Sequence, residues 1–300
     1  MCMVNYEYLT KEQLINELKE KDKYIYDLKK ANEEAKNYAE LKTELFSIIS
    51  HELKTPLNII FGAIQLIENI HKEQENCKYC RPLNKYLKTM RQNCYRLLRL
   101  INNFIDMNKI EIGFFKLNLT NNDIVKTIED ITLSVVEFAQ AKQINIIFDT
   151  EIEEKIIATD SEKIERVILN LLSNSIKFTD SGGIIEVYIK NLEESIVIAV
   201  KDNGSGMPEE MLEKIFDIFS QVDSSLRRQA EGSGIGLFLS KSIIEMHGGK
   251  IYAKSKLGIG SEFIIEIPTR IIEDSKVAEV AISAERRIEK IHIEFADIYS

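Results

Sequence analysis

The stretch "SEKIERVILNLLSNSIKFTDSGGIIEVYIKNLEESIVIAVKDNGSGMP", residues 161–208, decides how the second half of this chain folds. Its first part has helical spacing. Ile164, Ile168 and Leu171 form one stripe, while Arg166, Asn170, Asn174 and Lys177 follow at intervals of 4, 4 and 3 and share another face. Two β-branched runs come next, "GIIEVYIK" and "SIVIAVKD", and the second ends directly in a glycine turn. Strands mixed with amphipathic helices and hairpins predict an α+β sandwich rather than a purely parallel α/β fold. Two amides and a cation on one helix face have the atoms to ligate a hard metal and hold phosphate oxygens. The same face also fits a polar surface stripe.

Downstream, "DNGSGMP" at 202–208 carries glycines that permit close approach of the backbone to a ligand, and Asp202 is placed to accept from an exocyclic amine. A plain turn has the same signature. "EGSGIGLFLSK" at 231–241 is a G-x-G-x-G run opening a helix, where backbone N–H groups attract phosphate. The polar segment before it, with Arg227 and Arg228, suits a lid over a nucleotide or a solvated loop. "GKIYAKS" and "SEFIIEIP" form a hairpin around "KLGIG". Helices are expected at 208–217 and 236–247. Residues 271–300 end in "KIHIEFADIYS", which alternates like an edge strand.

Upstream, "FFKLNL", "INIIFDT" and "KIIAT" read as strands and 121–141 as a helix. The texture changes at Gly113. Before it, Leu83, Leu87, Met90, Cys94, Leu97, Ile101 and Phe104 form a heptad stripe that wants helical partners. A polar turn at 71–82 joins this helix to an earlier one carrying Leu53, Leu57, Ile60 and Ile64. The two make an antiparallel hairpin, and two copies would close a four-helix bundle, so a homodimer is the economical reading. Off the stripe of the first helix lie His51, Glu52 and Thr55, an imidazole, a carboxylate and a hydroxyl together. Residues 8–44 carry a heptad seam with Asn32 at a core position, which fits a parallel coiled coil and equally a single solvated helix.

Composition narrows the classes. The 300 residues are 44% hydrophobic and 29% charged, as expected of a folded soluble chain. A formal charge of −9 argues against a nucleic-acid surface. No apolar run reaches membrane-span length, and Met1–Thr10 does not read as a signal peptide, so the expected location is the cytoplasm, either whole or as the soluble part of something longer. "CKYC" (Cys77, Cys80) lacks a second ligand pair at zinc-site spacing and reads as a polar loop.

Taken in order, these motifs resemble those of sensor histidine kinases of two-component systems, over about 41–270. "SHELKTPL" resembles the phosphoacceptor box, "NLLSNSIKFT" the N box, "DNGSGMP", "GSGIGL" and "LGIGSEF" the glycine boxes, and "IFDIFSQVD" the F box. The nucleotide half also resembles the wider Hsp90, MutL and gyrase ATPase group. The resemblance implies ATP and Mg²⁺ as cofactors. It implies His51 as phosphoacceptor, Glu52 as the base polarising it, and Thr55 as the positioner of water for dephosphorylating a response regulator. It further implies Asn170 and Asn174 as Mg²⁺ ligands, Lys177 as a phosphate contact, and Asp202 as the reader of adenine. Gly204 and Gly206 would shape the pocket, Phe216 and Phe219 anchor the lid, and Gly232, Gly234 and Gly236 cradle phosphates. Ser175, Ile235 and Phe238 depart from the family pattern at positions expected to lie away from the ligand-holding residues.

The domains so implied are a signalling helix (1–40), a dimerisation and histidine phosphotransfer domain (41–112), an ATP-binding catalytic domain (113–270) and a tail (271–300). The catalytic domain would swing across a hinge near Ile112–Gly113. The expected partners are a second copy and the receiver domain of a separate response regulator, with no nucleic acid. The competing readings are a phosphatase-dominant regulator and a dimeric scaffold that binds nucleotide without turnover.

Overall fold

The computed structural model describes residues 11–73, 80–218, 234–273 and 284–298, though not the side chains of 12–14, 17, 31, 34–52, 68–73, 80–85 and 284–287. The chain divides into two compact units, 1–52 and 53–300. Two long helices come first, α1 (Lys11–Glu73) and α2 (Cys80–Glu111). Within the turn expected over 71–82, residues 71–73 and 80–82 are helical, and 74–79 lie outside the described residues. Pro82 lies in the first turn of α2, where a missing N–H costs little because first-turn donors have no helical partner. Cys77 lies outside the described residues, as does the side chain of Cys80. In the N-terminal seam Leu18, Ile25 and Leu28 are exposed, and Asn32 is exposed with them. Leu57 and Ile64 on α1 and Leu87 and Ile101 on α2 are also exposed, although each belongs to an apolar stripe.

Gly113 ends α2 in the left-handed region (φ +71°), and the Phe114 and Phe115 N–H groups fold back onto the Lys109 carbonyl at 2.8 and 3.0 Å. The run "FFKLNL" is not a strand. Phe115 is buried under the Lys163 ammonium, 4.8 Å from the ring centroid, and the Asn118 N–H is taken by the Asp160 carboxylate at 2.9 Å. Those contacts tie the segment just after the expected hinge at Ile112–Gly113 to Asp160 and Lys163.

The next elements are β1 (Thr120–Asp123), α3 (Ile124–Ser134), α4 (Val136–Ala141), β2 (Asn145–Thr150), β3 (Ile156–Thr159) and α5 (Ser161–Phe178). After them come β4 (Ile184–Asn191), β5 (Ser195–Asp202), α6 (Gly236–Met246), β6 (Lys250–Lys256), β7 (Gly260–Pro268) and α7 (Ala284–Glu294). The helix expected over 121–141 begins as a strand paired with β3 and then breaks at Val135. Near the break the Thr132 and Ser134 hydroxyls bond to the Ile128 and Ile131 carbonyls, a local alternative that weakens helix continuation. The helix expected over 208–217 is two 3₁₀ turns, Glu209–Met211 and Lys214–Phe216. The last segment is a helix and not an edge strand. "IHIEF" alternates, but the residues that are buried, Ile291, Phe295 and Ile298, are spaced by four and three.

The main sheet has the order β2-β4-β5-β7-β6, parallel at β2–β4 and antiparallel elsewhere. Ile185, Val187 and Ile189 of β4, Ile196, Ile198 and Val200 of β5, and Ile265 and Ile267 of β7 form the inner face. Against it lie α3, α5 and α6. Ile164, Ile168, Leu171 and Ile176 of α5 are almost fully buried. Each contributes about 1.5–3 kcal/mol of apolar burial before entropy is subtracted. The opposite face is mixed: Ala199 and Ile264 are buried there, while Tyr188 donates to Glu262 and Lys201 pairs with Glu186 at 2.7 Å. This is the two-layer α+β sandwich expected from the sequence.

Candidate functional site

Helix α5 starts on a fixed cap. The Asp160 carboxylate accepts from the Lys163 N–H at 3.2 Å, and the Asp160 N–H donates to His247 Nε2 at 3.0 Å. That anchorage sets the rotation of α5, and with it the face carrying Arg166, Asn170, Asn174 and Lys177. Asn170 is 4% exposed, and its amide donates to Ser240 Oγ on α6 at 3.0 Å. A Cβ at Gly236 would sit 2.6 Å from Asn170 Oδ1, so the first turn of α6 approaches this carboxamide only because Gly236 has no side chain. Gly234, two residues earlier, takes φ +67° and turns the chain into that helix. The start of α6 therefore brings first-turn backbone N–H groups, which have no partner within the helix, beside a buried amide oxygen.

Asp202 closes the other end of the site. It ends the central strand β5, paired in register with Ile185 and Ser261. One carboxylate oxygen accepts from the Gly204 N–H at 3.0 Å and the Ser261 N–H at 3.3 Å; the other accepts from the Ser175 hydroxyl at 3.2 Å. Burial pushes the Asp202 carboxyl above its ordinary value, and the three donors pull it back. Ser175 thus touches a proposed ligand-holding residue, contrary to the expectation that this departure lay away from the site.

The glycines of "DNGSGMP" are required by the chain itself. A Cβ at Gly204 would meet the Phe178 carbonyl oxygen at 2.4 Å, and one at Gly206 (φ +61°) would meet the Lys256 carbonyl oxygen at 2.1 Å. The close approach read from sequence is to backbone of α5 and of the β6–β7 hairpin. Hydrogen bonds from Ser205 N–H to Phe178 O (3.1 Å) and from Gly258 N–H to Ser205 O (2.7 Å) complete that weld.

Lys177 rides over the Phe178 ring at 5.3 Å, near the end of α5. Asn174 is half-buried, and Phe216 is buried in the core. Arg166 turns to α2, pairing with Asp106 and donating to Asn103 Oδ1 at 2.7 Å. Arg99 of α2 reaches Asn170 Oδ1 at 3.2 Å. Thr55 is exposed on α1. His51 and Glu52 are helical, and their side chains are among those the structure does not describe. Phe219 and Gly232 lie outside the described residues, as do Arg227 and Arg228. Among the described residues no cluster of three or more His, Cys, Asp or Glu side chains is set to hold a metal, and no helix is long and apolar enough to cross a membrane. Sequence reasoning missed Arg99, Ser175, Ser240 and Ser261. Only Ser175 carried a signal, as a departure from the family pattern.

The buried Asn170 carboxamide, the glycine-opened start of α6 and the Asp202 carboxylate at the end of β5 all lie within one matched region. Residues 159–271 match the family described as histidine kinase-, DNA gyrase B-, and HSP90-like ATPase. Residues 41–113 match the His Kinase A (phospho-acceptor) domain. With both domains in this order, the chain belongs to the histidine kinases. It is 31% identical over 269 residues to hybrid signal transduction histidine kinase D of Dictyostelium discoideum, which covers 85% of this chain and 17% of that protein. It is 30% identical over 260 residues to the sensor histidine kinase TmoS of Ectopseudomonas mendocina, covering 86% and 26%. The chain thus spans about a quarter or less of these relatives. The full-length ShkA structure in complex with AMPPNP shares the fold, at 23% identity and TM-score 0.57 over 78% of this chain and 46% of that one. Histidine kinase ThkA in complex with the response regulator protein TrrA aligns at 25% identity and TM-score 0.53, over 75% and 61%.

Proposed function

We propose that this chain is the kinase core of a two-component sensor: it phosphorylates His51 from ATP and passes the phosphoryl group to an aspartate of a separate response regulator. The observation that carries the reading is the pairing of Asn170, held against the start of α6, with Asp202, held at the end of β5. A purine amine donates to Asp202, whose carboxylate is already oriented by three donors. Gly234 and Gly236, with Gly232 ahead of them, offer backbone N–H groups to phosphate oxygens. Lys177 supplies a positive charge, and Phe216 and Phe219 would anchor the lid.

The carboxamide oxygens of Asn170 and Asn174 are the donor type that hard cations take. Asn170 Oδ1 already faces a cationic group, the Arg99 guanidinium, so the residues fit Mg²⁺. When bound, Mg²⁺ would neutralise charge on the transferring phosphate. The nucleophile on His51 is a neutral ring nitrogen of its imidazole. Glu52 accepts from one ring nitrogen and makes the other more nucleophilic. The P–N bond to His51 forms as the bond to the β-phosphate oxygen breaks, and ADP leaves. Thr55, exposed on its helix, is suited to orient water in the reverse duty of dephosphorylating the regulator.

The exposed apolar stripes of α1 and α2 support assembly of two copies into a four-helix bundle. The domain boundaries at 40, 112 and 270, and a cytoplasmic site of action, belong to the same proposal. The test is incubation with γ-labelled ATP and Mg²⁺. Label that survives base and is lost in acid supports a phosphohistidine; label that survives acid overturns it.

A further inference from the structure

The C-terminal helix docks on both halves of unit 53–300. Ile291, Phe295 and Ile298 are buried, Phe295 and His292 pack edge-on against the Phe138 ring of α4, and Tyr95 of α2 stacks on His292 at 5.5 Å. Polar contacts run to α5 as well. Lys290 pairs with the buried Glu165 at 2.6 Å, and the Ser173 hydroxyl donates to the Glu294 carbonyl at 3.0 Å.

The centre of this contact is Arg99. Its guanidinium meets Glu294 at 3.0 Å and Asp297 at 2.8 Å, and a third nitrogen donates to Asn170 Oδ1. Burial opposes the charge on Arg99, and the two tail carboxylates more than offset it. One carboxamide oxygen does not hold a guanidinium and a divalent cation together, because the two positive charges repel at short range. Arg99 must therefore leave Asn170 when the metal arrives. Its counter-ions are on the tail, so moving it breaks two ion pairs between the tail and α2 and loosens a contact that Gln92 and Arg96 of α2 also make with the Ala296 carbonyl.

We propose that residues 284–298 are an autoinhibitory latch that keeps Arg99 on Asn170, so that tail docking and loading of Mg²⁺–nucleotide exclude each other. The inference rests on the reading of Asn170 as a Mg²⁺ ligand. Coupling of this kind is reciprocal: the tail weakens nucleotide by the factor by which nucleotide loosens the tail.

Two measurements on the full chain test it. The Glu294→Gln/Asp297→Asn variant is titrated with AMPPNP in excess Mg²⁺ and in EDTA. The latch predicts binding about fivefold or more tighter than wild type in Mg²⁺, with no change in EDTA. Equal or weaker binding in Mg²⁺ overturns it. The second measurement needs no variant: amide hydrogen exchange of the wild type. Saturating Mg²⁺–AMPPNP should speed exchange over 284–298, and unchanged or increased protection there overturns the latch. Asn170→Ala separates the two readings. If it keeps wild-type Mg²⁺ dependence of binding, the metal-site reading fails. If it loses that dependence while the tail variant behaves as wild type, the latch alone fails.

Discussion

The Ser175 hydroxyl donates to the Asp202 carboxylate at 3.2 Å, so α5 carries a direct support for the group at the end of β5. A hydrogen bond to a buried carboxylate contributes about 1 kcal/mol or somewhat more. Ser175→Ala is expected to weaken binding of an adenine nucleotide by roughly fivefold and to leave the fold intact. Isothermal titration measures it; unchanged affinity would show that Asp202 does not depend on Ser175.

Gly206 and Gly113 both take positive φ, but their surroundings differ. A Cβ at Gly206 would run into the Lys256 carbonyl, whereas one at Gly113 meets nothing within 4 Å. Gly113→Ala should therefore cost only the backbone strain, about 1 kcal/mol. Gly206→Ala should cost about 2–4 kcal/mol, because strain and overlap with backbone add. Urea unfolding of the two variants gives both numbers, and equal costs would contradict the packing of the 202–206 loop on the β6–β7 hairpin.

His247 makes stability depend on pH. Its Nε2 accepts from the Asp160 N–H, and Nδ1 donates to the Ile243 carbonyl at 2.7 Å. Burial holds its pKa below the ordinary histidine value, with the Ile243 carbonyl and the negative charge of Asp160 opposing. The unfolded chain then binds the proton more readily than the folded one. The stabilisation is present above about pH 6.5 and is lost as pH falls from there through the lowered folded-state value. His247→Gln should flatten the decline in melting temperature below that pH. A decline equal to wild type would exclude His247 as its source.

Much of this was legible in the sequence, for identifiable reasons. The span 161–178 is a helix within its predicted bounds because one apolar stripe and an Asp160 cap agree. The β6–β7 hairpin was fixed by alternation around "KLGIG". Short-range pattern failed where long-range contacts decide. "FFKLNL" looks like a strand, but its Asn118 N–H goes to Asp160, 42 positions away. "KIHIEF" alternates, yet the surfaces of α2, α4 and α5 select a helix. The motif residues Asn170 and Asp202 were visible; Arg99 and Ser240 were not, because a helix stripe gives no sign of which distant side chain will reach it.

Ile101 probes assembly. It is exposed on α2 within the heptad stripe. If two copies bury that stripe, Ile101→Glu should convert a dimer to a monomer in sedimentation equilibrium, with helical content largely kept. A variant that sediments as the wild type would place the copy-to-copy contact elsewhere.

The most direct measurement sets wild type beside His51→Gln, each incubated with γ-labelled ATP and Mg²⁺, with nucleotide binding measured on both. The expected result is acid-labile, base-stable label on wild type, none on His51→Gln, and equal nucleotide affinity. Equal labelling of the two chains would contradict His51 as the phosphoacceptor.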